Sequence, residues 1–120
     1  MYNENNIFAK ILRKEIPCDK VHEDEYSLFF KDINPQAKIH ILGIPKFQCT
    51  TFSEFIRNAD NENISTFFRN VQVVIKNLGI EKNGYRLITN SGADGGQEVP
   101  HFHIHILAGE NIGRLREIIL

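Results

Sequence analysis

No apolar run in this sequence approaches the ~18 residues that a membrane-spanning helix needs, so no membrane role is expected. The N-terminus, MYNENN, is polar and slightly acidic. A secretion signal is basic and then apolar, so a cytoplasmic location is expected, and the glycosylation pattern Asn63-Ile64-Ser65 carries no meaning there. Charge of one sign is also lacking: 14 basic residues stand against 15 acidic ones, for a formal net charge of −1. Without a basic block there is no broad positive field to grip a nucleic acid polymer. A nucleotide ligand would have to be held by local dipoles and a few side chains. Cysteine is scarce. Cys18 and Cys49 are far apart and form no C-x-x-C pair, so two reduced thiols are expected. Linkers, repeats and low-complexity stretches are missing too, and residues 1–120 read as one domain. A chain of this size buries a moderate core and often gains from pairing with a second copy. The hydrophobic and charged fractions, 42% and 24%, are those of a folded globular protein and exclude disorder.

What is present is a succession of short periodic segments. Ile7, Phe8, Ile11 and Leu12 fall at helical spacing, with Pro17 as a stop soon after. Strands are expected near Lys20 to Glu23 and Ser27 to Lys31, separated by the acidic turn DED, and a third, well buried, in KIHILGIP at 38–45. From Asn61 to Leu78 the period changes. Ile64, Phe67, Phe68, Val71, Val74, Ile75 and Leu78 lie on one helical stripe, and Gly79 suits the position after it. GYRLITN (84–90) then reads as a strand, SGADGGQ as a glycine-rich loop and HFHIHILAG as the last strand. Several antiparallel strands with one long helix across a face make an α+β domain.

Residues 101–106, HFHIHI, raise the chemical question. In a strand, alternate side chains share a face and two residues advance the chain by ~6.6 Å. His101, His103 and His105 then project to one side, and Phe102, Ile104 and Ile106 enter the core. Zinc ligands all lie ~2 Å from one ion, so a regular strand cannot bring three such rings to a single metal. An H-x-H pair with a third ligand from elsewhere could hold one, but no Cys or carboxylate arrangement nearby in sequence completes the set, and no metal is expected. A solvated strand face is the plain alternative, although such faces usually mix Thr, Lys, Glu and Ser. Catalysis is the third reading. Imidazole serves as nucleophile, base or acid near neutral pH, and neighbouring rings push one another's pKa values apart. Upstream, Gly92, Gly95 and Gly96 let backbone N–H groups approach a ligand closely, as a phosphate nest requires.

The segment GGQEVPHFHIHIL resembles the signature of the histidine triad family, His-x-His-x-His with apolar residues after it and Gly-Gln before it. IFAKILRKEIP, FFKDINPQAKIHILGIPK and GYRLITNSGADGGQEVPHFHIHILAG extend the resemblance, in order, to the histidine triad nucleotide-binding branch, the purine nucleoside phosphoramidases. The resemblance implies an antiparallel sheet of about five strands, one long helix and one short N-terminal helix, with the sheet continued across a homodimer. It implies hydrolysis of the P–N bond of purine nucleoside 5′-phosphoramidates, releasing AMP, with aminoacyl adenylates as a further substrate class; no cofactor is implied. By position, His103 is the nucleophile that forms a nucleotidyl–histidine intermediate. His105 contacts phosphate or leaving group, His101 supports the row, and His40 is a fourth histidine nearby. Asp32 corresponds to the ribose-binding carboxylate. Ile7, Phe8, Ile11, Phe30 and Ile33 correspond to apolar walls around the base, and Asn90, Gly96 and Gln97 to the phosphate loop.

Three departures from the family pattern bear on function. Glu98 stands where many members have Ser or Thr, and an ionised carboxylate cannot donate to a phosphate, although its backbone N–H can. Asn6 and Ala9 occupy the places of a Cys-x-x-Cys zinc site found in some relatives. The C-terminus, GENIGRLREIIL, differs from that of eukaryotic members. A dinucleoside polyphosphate hydrolase, and a purine nucleotide-binding or scaffold protein with incidental catalysis, stand as alternatives.

Overall fold

The structure, a computed structural model, describes residues 1–118. The elements run α1 (Ile7–Leu12), β1 (Lys20–Glu23), β2 (Ser27–Lys31), β3 (Ile39–Pro45), α2 (Phe52–Asn58), α3 (Asn61–Leu78), β4 (Arg86–Ile88) and β5 (Ile104–Ala108), with a short 3-10 turn at Leu115–Ile118. The strands form one antiparallel sheet in the order β1-β2-β3-β5-β4. The α+β class and the five-stranded antiparallel sheet agree with the expectation from sequence. Among the described residues no helix is long and apolar enough to cross a membrane.

Helix boundaries follow capping chemistry. Asn6 accepts from the Ala9 N–H to start α1, and Asp60 accepts from the Asn63 N–H to start α3. Gly79, at φ 70°, closes α3 in the left-handed conformation and returns its N–H to Ile75 and Lys76 carbonyls. Helix α2 was not expected from sequence. Its signal is Thr51-Phe52-Ser53-Glu54: the Thr51 hydroxyl accepts from the Glu54 N–H, and the Glu54 carboxylate accepts from the Thr50 N–H.

Strand alternation divides the sheet into two faces. Phe29, Ile41, Ile104 and Ile106 face α2 and α3, packing with Phe55, Phe67, Val71, Val74 and Phe102 into the larger core. Leu28, Phe30, Leu42 and Ile44 face the other way and are covered by Phe8 and Ile11 of α1. By the same parity Asp32, His40, His103 and His105 belong on the α1 side. The short α1 leaves that end of the face to polar residues. Gly43 lies on the other side, opposite Phe29 in the ladder, where a Cβ would collide with the Phe29 ring.

Two strands are shorter than expected. The last one begins at Ile104 rather than His101, so His101 and His103 precede it. Pro45, where the β3–β5 ladder would continue past Gly43 and Ile104, has no N–H to donate. Beyond that point Phe102 donates instead to the Cys49 carbonyl. Strand β4 covers only 86–88 of the expected 84–90, because Gly84 is still turning, its N–H bonded to Ile80.

Candidate active site

The four histidines named from sequence come together on the α1 face, and none sits on a solvated strand surface. His101 is fully buried, His103 and His40 are buried and His105 is half-buried. The His103 and His105 rings lie 5.1 Å apart, and His105 and His40 5.2 Å apart. Phe8 packs edge-on against His103 at 5.0 Å and also approaches His101 and Phe30, so α1 walls one side of the row.

Hydrogen bonds to backbone groups assign the ring protons, because a carbonyl only accepts and an amide N–H only donates. His101 Nε2 lies 2.8 Å from the Pro45 carbonyl and must carry a proton; its Nδ1 is then the acceptor for the Tyr2 hydroxyl at 2.6 Å. His103 Nδ1 lies 2.7 Å from the His101 carbonyl and likewise carries the proton, which leaves Nε2 of the neutral ring with a free lone pair. The His103 carbonyl in turn accepts from the Thr89 hydroxyl at 2.8 Å. His40 works the other way round. Its Nδ1 accepts from the Gln36 N–H at 3.0 Å, so its Nε2 carries the proton and donates to His105 Nδ1 at 2.9 Å. His105 is left with its own proton on Nε2.

Burial keeps this row neutral. Desolvation lowers the pKa of His101 to about 4, with the neighbouring His103 adding to the fall and the Pro45 hydrogen bond opposing it. Desolvation also lowers His105 to about 4, aided by His103 and His40. His103 and His40 are lowered by the same cause, with Asp32 pulling both back up and Glu98 doing so for His103. A neutral imidazole with Nδ1–H held and Nε2 bare is the form that attacks an electrophile.

Asp32 sits at the end of this chain. Its Oδ1 accepts from the Asn34 N–H at 2.8 Å, and Oδ2 lies 3.4 Å from His40 Nε2. Asp32, His40 and His105 are the group among the described residues whose donor atoms are close enough for a metal, all within 4.8 Å of one another. A carboxylate does therefore complete an imidazole pair in space, which sequence proximity did not reveal. The proton positions oppose a metal, however. A ligating histidine offers a bare nitrogen and donates its other N–H to an acceptor. Here the Gln36 amide occupies His40 Nδ1 as donor and forces the proton onto the nitrogen that would have to ligate. The group suits proton movement better than metal binding.

Ile7 and Ile33 are 43% and 87% exposed, large apolar side chains with little protein cover, whereas Phe8, Ile11 and Phe30 are buried. In the glycine loop the side chains are committed internally. Asn90 donates to the Gly95 carbonyl; Gln97 accepts from the Gly92 N–H and donates to the Thr50 and Val99 carbonyls. Gly96 is exposed at φ 75°, a left-handed conformation suited to glycine. Asn90 and Gln97 thus shape the loop. The Glu98 side chain is exposed. Tyr2, Gln36, Pro45 and Thr89 were not singled out from sequence; three of them act partly through backbone groups or on backbone groups, for which residue type gives no signal.

Residues 13–112 match the HIT domain. An uncharacterised HIT-like protein of Azospirillum brasilense is 49% identical over 112 residues, covering 93% of this chain and 92% of its own. A purine nucleoside phosphoramidase of Escherichia coli is 42% identical over 113 residues, covering 92% of each chain. Among solved structures, a histidine triad protein from Clostridium difficile superposes with a TM-score of 0.85 at 39% identity, covering 95% of this chain and 98% of its own. A HIT family hydrolase from Legionella pneumophila gives 0.83 at 38% identity, with 89% and 95% covered.

Proposed function

The chain belongs to the HIT domain family, and on that premise we propose that it is a hydrolase of purine nucleoside 5′-phosphoramidates, with His103 as nucleophile. The observation that carries the reading is the held Nδ1–H of His103, 2.7 Å from the His101 carbonyl, which leaves Nε2 bare. In the first step the Nε2 lone pair forms a bond to the α-phosphorus as the P–N bond breaks. The departing amine keeps that electron pair and takes up a proton at the row. Water then attacks phosphorus and returns a proton to the row, the His103–phosphorus bond breaks, and AMP leaves with the neutral ring restored. Dividing one displacement into two in this way lowers the barrier of each. Asp32, close to His40, offsets positive charge that appears on the row. Ile7 and Ile33, large apolar side chains left exposed, suit the flat apolar faces of a purine. Aminoacyl adenylates present the same α-phosphorus to the row and extend the proposed substrate class.

A homodimer fits the same reading. Among the described residues strand β4 is an edge of the sheet, with Leu87 exposed on it and Tyr85 exposed just before it, and an unpaired edge can take a strand from a second copy. The test is AMP release from adenosine 5′-phosphoramidate by the wild type and His103→Ala, with diadenosine polyphosphates compared on the same enzyme. Loss of turnover by roughly 10³-fold or more is expected for the variant. Turnover that survives the substitution sinks the assigned nucleophile, and faster cleavage of the dinucleotides points to the other hydrolase reading.

A further inference from the structure

Tyr2 is far from the row in sequence and meets it at His101. Its hydroxyl is 2.6 Å from His101 Nδ1, and its ring meets the imidazole edge-on at 5.6 Å. The segment that carries it is tied down. The Asn6 N–H and side-chain amide both donate to the Asn3 carbonyl, Arg13 donates to the Glu4 carbonyl, and Phe8 then packs on His101 and His103. His101 is thereby gripped at both ring nitrogens, by the Tyr2 hydroxyl on one side and the Pro45 carbonyl on the other.

We propose that Tyr2 is a positioning residue for the histidine row: by donating to His101 Nδ1 it holds, together with the Pro45 carbonyl, the tautomer and ring plane of His101, and so the backbone carbonyl that holds the His103 proton. The inference rests on the reading of His103 as nucleophile. A fully buried imidazole whose Nδ1 loses its donor keeps an unsatisfied lone pair, and the ring can regain a partner only by rotating or changing tautomer. Either change draws the His101 ring off Pro45 and shifts the residue whose carbonyl holds His103. With that acceptor displaced, the neutral His103 ring is free to move its proton to Nε2, the nitrogen that must be bare to attack. Tyr2 never touches substrate. Its effect on the chemical step is passed through two hydrogen bonds.

Tyr2→Phe keeps the ring and deletes the donor. The full-length, 15N-labelled protein and this variant are compared by imidazole 15N–1H correlation spectra, which distinguish the two neutral tautomers, and by steady-state turnover of adenosine 5′-phosphoramidate. In the wild type His101 is expected as the Nε2–H form and His103 as the Nδ1–H form. In the variant the His101 Nδ1 resonance moves toward that of an unbonded imine, His103 shows added Nε2–H character, and kcat falls roughly tenfold with KM within about twofold. Tyr2→Ala, which also removes the ring, is expected to lower kcat further. Unchanged His101 and His103 resonances in Tyr2→Phe overturn the proposal. So does a variant in which only His101 responds and kcat stays at the wild-type value. Should the wild type prove inactive on phosphoramidates, the function reading fails on its own, and the His103 tautomer in the spectra still decides the role of Tyr2.

Discussion

Acidification is the perturbation whose size follows most directly from the site. His101 and His105 ionise at about 4 in the folded chain, against ~6.5 when unfolded. Between those values the unfolded state binds more protons than the folded one, so stability rises with pH through this window. It is fully present above the unfolded value and is lost as pH falls from about 6.5 toward 4. At about pH 5 each ring has cost ~2 kcal/mol relative to neutral pH, since one pKa unit is worth ~1.4 kcal/mol and the window is partly crossed. Two such rings take ~4 kcal/mol from a domain whose whole stability is on the order of 5–15 kcal/mol. Carboxylates do not obscure the effect. Glu23 is pulled below its ordinary range chiefly by Lys46, and Asp24 also lies below its range, its hydrogen bonds outweighing burial, so both stay ionised in the folded chain at about pH 5. Urea melts at about pH 7.5 and about pH 5, with the slope m required to stay constant, measure the loss. His105→Asn should remove about half of it while leaving the neutral-pH fold in place. Equal stability at the two pH values, or greater stability at the lower one, refutes the assignment of buried neutral rings.

Two further outcomes follow from packing and from proton placement. Gly43→Ala drives a methyl into Phe29, which is fully buried and stacked on Phe67, and should cost ~2–3 kcal/mol by urea denaturation; a change under ~0.5 kcal/mol shows that the ring can move aside. Zinc added to the purified protein should show no stoichiometric tight binding at Asp32, His40 and His105 by equilibrium dialysis. Tight binding that disappears in His40→Asn overturns the tautomer assigned to His40.

Sequence periodicity is a local signal, and it succeeded where the structure is local. The α3 stripe from Ile64 to Leu78, the Gly79 terminator and the strands at 20–23 and 27–31 all stand close to where their patterns put them. Helix α2 escaped although Phe52, Phe55 and Ile56 stand at helical spacing behind a Thr51-x-x-Glu54 cap, both signals there to be read. The shortened last strand depends on Pro45 in a different strand, so HFHIHI alone could not reveal it. The triad itself was legible as a motif. Its proton pattern was not, since that is set by carbonyls of Pro45 and His101 and the amide of Gln36, which every residue type possesses. The nearness of Asp32 to His105 and of Tyr2 to His101 arises from folding across long stretches of chain.

His103 is flanked in the chain by Phe102 and Ile104, both buried in the core beneath α2 and α3. The proposed nucleophile is therefore bolted on either side to the best-packed part of the molecule, and cannot drift unless that core does. Turnover then becomes a gauge of core order. Substitutions at Phe55 or Phe67, remote from any substrate, should erode kcat at temperatures where circular dichroism still reports a native chain. Selection for catalysis in such a protein also polices aromatic residues that never meet the reaction.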